Sequence, residues 1–173
     1  MIEKRKLIRE TPFSKVFGDS TGTYEYIDFK VAGTSFRQKE IKKAIREEKD
    51  MGLLDDPYQG MTNKEIKEIT FDEPVFQYDG LTFSKCELKL EPDNDVDKKA
   101  IAVYVNEYKV GFVPLKGFKK GKDYLYEKLT MQTNMNFMVD LHGGKYKINR
   151  DDEHIETGQS DYKLSADVII TLK

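Results

Sequence analysis

The sequence predicts a mainly β fold (α+β), with antiparallel strands and a few short helices. Three observations carry that prediction. Phe137, Val139 and Leu141 fall at every second position, and Tyr162, Leu164, Ala166, Val168, Ile170 and Leu172 do so over a longer run. Such period-two alternation marks strands with one buried face. The strand-like segments are punctuated by turn residues, above all Pro92-Asp93-Asn94-Asp95 and Gly143-Gly144. Finally, one segment, 38–48, carries a helical stripe of substantial length. Closure into a small barrel is expected because it removes exposed strand edges.

The elements follow in order. Residues 1–20 are mixed and end in a turn at Gly18-Asp19-Ser20. Tyr24, Tyr26 and Phe29 lie in a strand over 23–31, which Gly33-Thr34-Ser35-Phe36-Arg37 breaks. Ile41, Ala44 and Ile45 then fall at i, i+3, i+4, predicting a helix over 38–48 with its cap near Ser35 and its stop at Gly52. Asp55-Asp56-Pro57 and Gly60 are loop chemistry, and Thr62-x-x-Glu65 is a capping box that starts a second short helix. Residues 38–70 therefore read as a helical insertion. Leu81 and Phe83 share one parity, whereas Cys86, Leu88 and Leu90 share the other, so a strand over 81–90 is expected with a bulge at Ser84-Lys85. A hairpin over 100–113 has its tip at Asn106-Glu107-Tyr108. A basic loop over 116–122 precedes a short helix at 123–129. Gly143-Gly144 is read as a two-residue hairpin turn, 149–161 as a polar loop and 162–172 as the last strand.

A chain of 173 residues fits one domain spanning 1–173 and can bury a core without staples. The 35% charged content is high, but 10 Tyr and 10 Phe supply bulk for that core. The single cysteine, Cys86, excludes an intramolecular disulfide, so a cytoplasmic location is expected. No apolar run is long enough to span a bilayer. A net charge of −2 excludes a binder that works by large positive excess, so any nucleic-acid contact must be local.

Several constellations carry chemistry. Lys109, Lys116, Lys119, Lys120 and Lys122 occur with no acid from Lys109 through Lys122, interleaved with Tyr108, Phe112, Phe118 and Tyr124. Lysines meet phosphates and aromatic faces stack on unpaired bases, although a solvated loop with core aromatics gives the same pattern. Asp93, Asp95 and Asp97 open like a calcium loop, which Lys98 and Tyr104 then break at its sixth and twelfth positions. Pro92-Asp93 with Glu107-Tyr108-Lys109 mimics the PD…ExK pattern of Mg-dependent nucleases, with Glu107 and Lys109 at a hairpin tip. His142 and His154 lack metal spacing, and Cys86 reads as a packed strand residue. No cofactor or metal is expected.

Val31-Ala32-Gly33-Thr34-Ser35-Phe36 resembles the opening motif of HIRAN domains. Leu88-Lys89-Leu90-Glu91-Pro92-Asp93-Asn94-Asp95-Val96-Asp97-Lys98-Lys99-Ala100-Ile101-Ala102-Val103 is similar to their central motif, and Val110-Gly111-Phe112-Val113-Pro114 to their Gly-aromatic-hydrophobic-Pro strand. The three motifs come in family order and cover about 27–142, with the gap between the first two lengthened by the insertion. The resemblance implies a small OB-like β-barrel that binds DNA without cutting it, holding single-stranded DNA or a 3′ DNA end as an accessory to a helicase or nuclease partner. It also implies residue roles. Phe36 would stack, Asp93, Asn94 and Asp97 would contact the end nucleotide, Phe112 would flank the pocket, and Lys116 would lie near phosphate, with Lys119 and Lys120 beside it. The chain departs from the family pattern at Val96, where a Tyr is expected, at Asp93, where an Asn is expected, and at Arg37, where a second aromatic is expected. Arg37 can stack its guanidinium in place of a ring. Asp97 is equally a residue that holds the loop through backbone bonds. The competing class is a protein-interaction module that kept the fold and lost DNA binding, favoured by the negative charge and the missing Tyr. A Mg-dependent nuclease is the enzyme alternative.

Overall fold

The computed structural model describes residues 23–118, 120–151 and 153–172. Its strands are β1 (Thr23–Lys30), β2 (Pro74–Phe76), β3 (Cys86–Glu91), β4 (Ala100–Val105), β5 (Tyr108–Phe112), β6 (Met135–His142), β7 (Lys145–Asn149), β8 (Ile155–Gln159) and β9 (Lys163–Leu172). The helices are α1 (Gln38–Asp50), α2 (Asn63–Ile69) and α3 (Gly121–Thr130). The strands form three antiparallel sheets of three, ordered β1-β9-β6, β2-β7-β8 and β3-β4-β5. The mainly β, α+β expectation holds. Among the described residues no helix is long and apolar enough to cross a membrane.

Two short seams join the first and third sheets. Ala32, just past β1, exchanges both backbone bonds with Phe112 at the end of β5, at 2.8 and 2.9 Å. On the other side, Phe83 N donates to Val139 O and Leu141 N to Leu81 O, so 81–83 runs along β6. The phase slip at Ser84-Lys85 is therefore a change of partner rather than a bulge inside one strand. Before it the chain pairs with β6, and after it with β4.

The core lies between these two sheets and α1. Ile27 and Phe29 of β1, Ile101, Val103 and Val105 of β4, Val139 and Leu141 of β6 and Leu164, Val168 and Ile170 of β9 are buried there. Helix α1 presents its predicted stripe of Ile41, Ala44 and Ile45 to the same core. Its start differs from the expected Ser35 cap. A single 3-10 turn, Thr34–Phe36, leads in, and the Gln38 amide donates back to Thr34 O at 2.9 Å. The same amide also donates to Tyr162 O and accepts from Tyr162 N, pinning α1 to the entry of β9. The capping box at Thr62 and Glu65 forms as read.

Gly143-Gly144 is not a hairpin turn. β6 pairs with β9 and β7 with β8, so β6–β7 and β8–β9 form one long antiparallel ribbon that bends at the glycines. A Cβ on Gly144 would lie 2.3 Å from the Tyr162 ring, and one on Gly143 2.4 Å from Asp161 O. Both glycines are thus required by close approach. The true hairpin turn lies between Asn149 and Ile155, and β8 occupies part of the expected polar loop. Strand β2 went unread because three residues carry no periodicity.

One buried polar junction holds α1 against the sheets. Glu48 is 1% exposed on α1, and its Oε1 accepts from Ser84 N, Ser84 Oγ and Asn106 Nδ2, each at 2.8 Å. Replacing Glu48 by Ala strands three donors and leaves a void. We expect a loss of about 3 kcal/mol in urea unfolding, with Glu48→Gln costing clearly less because it keeps the acceptor.

Candidate nucleic-acid interface

The predicted site residues gather around the outer face of the β3-β4-β5 sheet and the loop that joins β3 to β4. The inner face of that sheet is apolar and faces the core through Leu88, Leu90, Ile101, Val103 and Val110. On the outer face the register places Lys89 opposite Ala102 and Ala102 opposite Phe112, while Glu91 lies opposite Ala100. A register shift between Val103 and Tyr104 tucks Val110 inward and leaves Lys109 and Phe112 together, the Lys109 ammonium 4.5 Å from the Phe112 ring centre. The short Ala100 and Ala102 side chains on the intervening strand leave an open path. Lys109 reaches across it to Glu91, at 2.5 Å between Nζ and Oε1.

Gly111 is what lets the neighbouring turn approach. A Cβ there would stand 2.3 Å from Ala32 O. With glycine in place, the Ala32–Phe112 bridge forms and ties the segment that leads into the Thr34–Phe36 turn to the end of β5. Phe36 is 88% exposed and Arg37 is half-buried.

The β3–β4 loop is held from inside. Asn94 Oδ1 accepts from Val96 N and Asp97 N at 3.0 and 3.1 Å, and its Nδ2 donates to Glu91 Oε2 at 3.2 Å. Asp97 Oδ1 accepts from Lys99 N, and its Oδ2 pairs with Lys122 on α3. Both Asp97 oxygens are thus engaged within the chain, and Lys122 is buried by the contact. Asp93 and Val96 are exposed, Val96 at 97%.

The basic segment divides. Lys116 is exposed. Lys120 pairs with Glu25 on β1 and lies over the Tyr124 ring. Lys119 lies outside the described residues. Three of the four interleaved aromatics, Tyr108, Phe118 and Tyr124, pack against the core, and only Phe112 stands on the outer face. The structure therefore brings Asn94 and Phe112 together around Glu91 and Lys109, with the charge of Arg37 acting on Glu91, leaves Phe36 exposed on the turn before α1, and occupies Lys120 elsewhere. Glu91 was not singled out as a site residue, and Lys109 was read only in the basic segment and in the PD…ExK pattern. Their signal was the alternation of Lys89 and Glu91 opposite two alanines, which marks a polar outer face.

The PD…ExK groups do not converge. Glu107 sits in the hairpin turn with φ 69° and pairs with Lys85, while Lys109 pairs with Glu91. Cys86 packs in its strand, and burial pushes its thiol up to about 12. His142 bonds Ser165 Oγ at 2.7 Å, and His154 is exposed beside Asp151. A shallow surface pocket of about 350 Å³ lies beside Asp55 and Tyr78, and another of about 550 Å³ runs along α3 and reaches Lys99 at the end of the β3–β4 loop.

Burial pushes the Glu91 carboxyl upward, but hydrogen bonds from Lys109 and Asn94 and the charge of Arg37 outweigh it and hold it below its ordinary value. The Lys122 hydrogen bond, joined by the Lys99 amide, lowers Asp97 as well. For both groups the folded value lies below the unfolded one. Their stabilisation is complete above about pH 4, where unfolded carboxyls titrate, and is lost as pH falls through the folded values. We expect the urea midpoint to drop between pH 6 and pH 3, and the gap between wild type and Asp97→Asn to shrink over that interval. A constant gap would assign Asp97 no ionic role.

No family model, curated protein or solved structure matches this chain.

Proposed function

We propose that this chain is a HIRAN-like domain that binds single-stranded DNA or 3′ DNA ends as a non-catalytic accessory factor. The observation that carries the reading is the Ala32–Phe112 bridge. It ties the segment before the Gly33–Phe36 turn to the end of β5, while Lys109 links Phe112 to Glu91 and the 91–99 loop, so in this reading two rings, a guanidinium and a carboxamide serve one ligand. Rings and a guanidinium suit unpaired bases, and stacking is tolerant of sequence. The two seams between the sheets support an OB-like barrel whose strand circuit runs β1-β9-β6-β3-β4-β5. In this reading Phe36, Arg37 and Phe112 stack, Asn94 and Asp93 face the terminal nucleotide, and Asp97 holds the loop. Lys116, which is exposed, receives phosphate, with Lys119 and Lys120 of the same basic segment as further phosphate contacts once Lys120 leaves Glu25. The setting is cytoplasmic, beside a helicase or nuclease that supplies the chemistry.

The second reading is a protein-interaction module. Exposure of Phe36, Val96 at 97% and Leu115 at 70% favours it, since these apolar side chains suit a protein partner as well as bases. The nuclease reading has less support, because its Glu107 and Lys109 are turned to other partners.

Fluorescence anisotropy separates the readings. Oligonucleotides with a free 3′ hydroxyl, a 3′ phosphate or no accessible 3′ end should bind unequally if ends are read. Phe36→Ala and Phe112→Ala should each weaken binding about tenfold, as loss of one stacked base requires. Binding unchanged in both variants, or no binding at all, would refute the DNA reading.

A further inference from the structure

We propose that the Glu91 side chain is an internal occupant of an anion subsite formed by Lys109 and Asn94, with Arg37 adding longer-range charge, and that a phosphate group of the ligand displaces it. The phosphate being part of a nucleic acid rests on the function proposed above; the subsite itself does not.

The geometry is that of a bound anion. One Glu91 oxygen accepts from the Lys109 ammonium at 2.5 Å and the other from the Asn94 carboxamide at 3.2 Å, and the Arg37 charge acts on the same group. These are the donor types that bind phosphate oxygens. The pair is three-quarters buried, with 24% exposure on each side chain, yet it lies on the outer face that carries Phe112. Glu91 reduces the local charge of Arg37 and Lys109 from two positive units to one. It also fixes the Lys109 rotamer against the Phe112 ring. A phosphate has more charge and more acceptor oxygens than a carboxylate, so it competes well for the same donors. The tethered carboxylate still opposes it as a fixed local competitor. Glu91 thus attenuates affinity and filters out weakly charged ligands.

The experiment compares wild type, Glu91→Gln and Glu91→Gln/Lys109→Met in binding to a single-stranded oligonucleotide and to tripolyphosphate. Glu91→Gln should bind each about fivefold tighter, the gain expected from releasing one partly buried ion pair. Its oligonucleotide salt dependence should steepen by about 0.7 in slope, one phosphate contact on a single strand. Adding Lys109→Met should cancel the gain. Unchanged or weaker binding by a folded Glu91→Gln protein overturns the proposal, as does a gain that survives Lys109→Met, or binding of neither ligand by any of the three. Tighter tripolyphosphate binding with no oligonucleotide binding sustains the subsite and defeats the DNA reading instead. In wild type, where folding of a variant is not at issue, the Glu91 carboxyl carbon resonance should shift as tripolyphosphate saturates the protein. An unmoved resonance at saturation refutes displacement.

Discussion

The junction at Glu48 is the constraint on which the rest of the molecule depends. A charged-type side chain on the inner face of α1 is 1% exposed, and it is there because three donors from two other segments need an acceptor. Ser84 lies where the chain leaves β6 for β4, and Asn106 lies at the tip of the β4–β5 hairpin with φ 44°. An acceptor buried without donors, or donors without an acceptor, is costly, so all three must assemble together. Apolar contact alone lets a helix slide along a sheet. The carboxyl removes that freedom and sets where α1 begins, and with it where the Phe36–Arg37 turn stands.

The outer face of β3-β4-β5 follows from that placement. Two alanines on the central strand make the face shallow, and long side chains from the flanking strands fill it. Opposite charges meet over that floor rather than at the rim. The exposed apolar residues stand around it, on the turn before α1 and on the β3–β4 loop. A polar floor with an apolar rim orients a flat, partly charged ligand better than it grips a uniformly apolar one.

The fold was legible where periodicity is long. The β9 run, the α1 stripe and the Thr62–Glu65 box all form as their spacing predicts. Legibility failed where one local pattern serves two geometries. A Gly-Gly pair between alternating segments means a hairpin when its flanks pair with each other, and a ribbon bend when they pair with a third segment. Only the distant Tyr162 ring, pressed against Gly144, decides. A parity slip is equally ambiguous between a bulge and a change of partner. At the candidate site, the loop residues and Phe112 were readable because turn chemistry is local. The Glu91–Lys109 pair depends on a strand register shift and on two alanines 100 and 102 in sequence, so no short window contains it. The aromatic residues beside the lysines could not be sorted into core and surface without knowing which face each strand offers.

The bent ribbon also sets an order of assembly. β6 through β9 is a contiguous run whose pairings close locally, starting from the β7–β8 turn. β1 pairs only with β9, with Thr23 opposite Leu172, so nearly the whole described chain separates those partners. Closing such a loop costs entropy before any contact repays it. β1 therefore carries the largest closure cost of the strand pairings, and until it docks Ala32 has no fixed position from which to meet Phe112. The face that carries the candidate site is complete only when the most distant parts of the chain have met, so the Ala32–Phe112 bridge is a late-closing contact of high sequence separation.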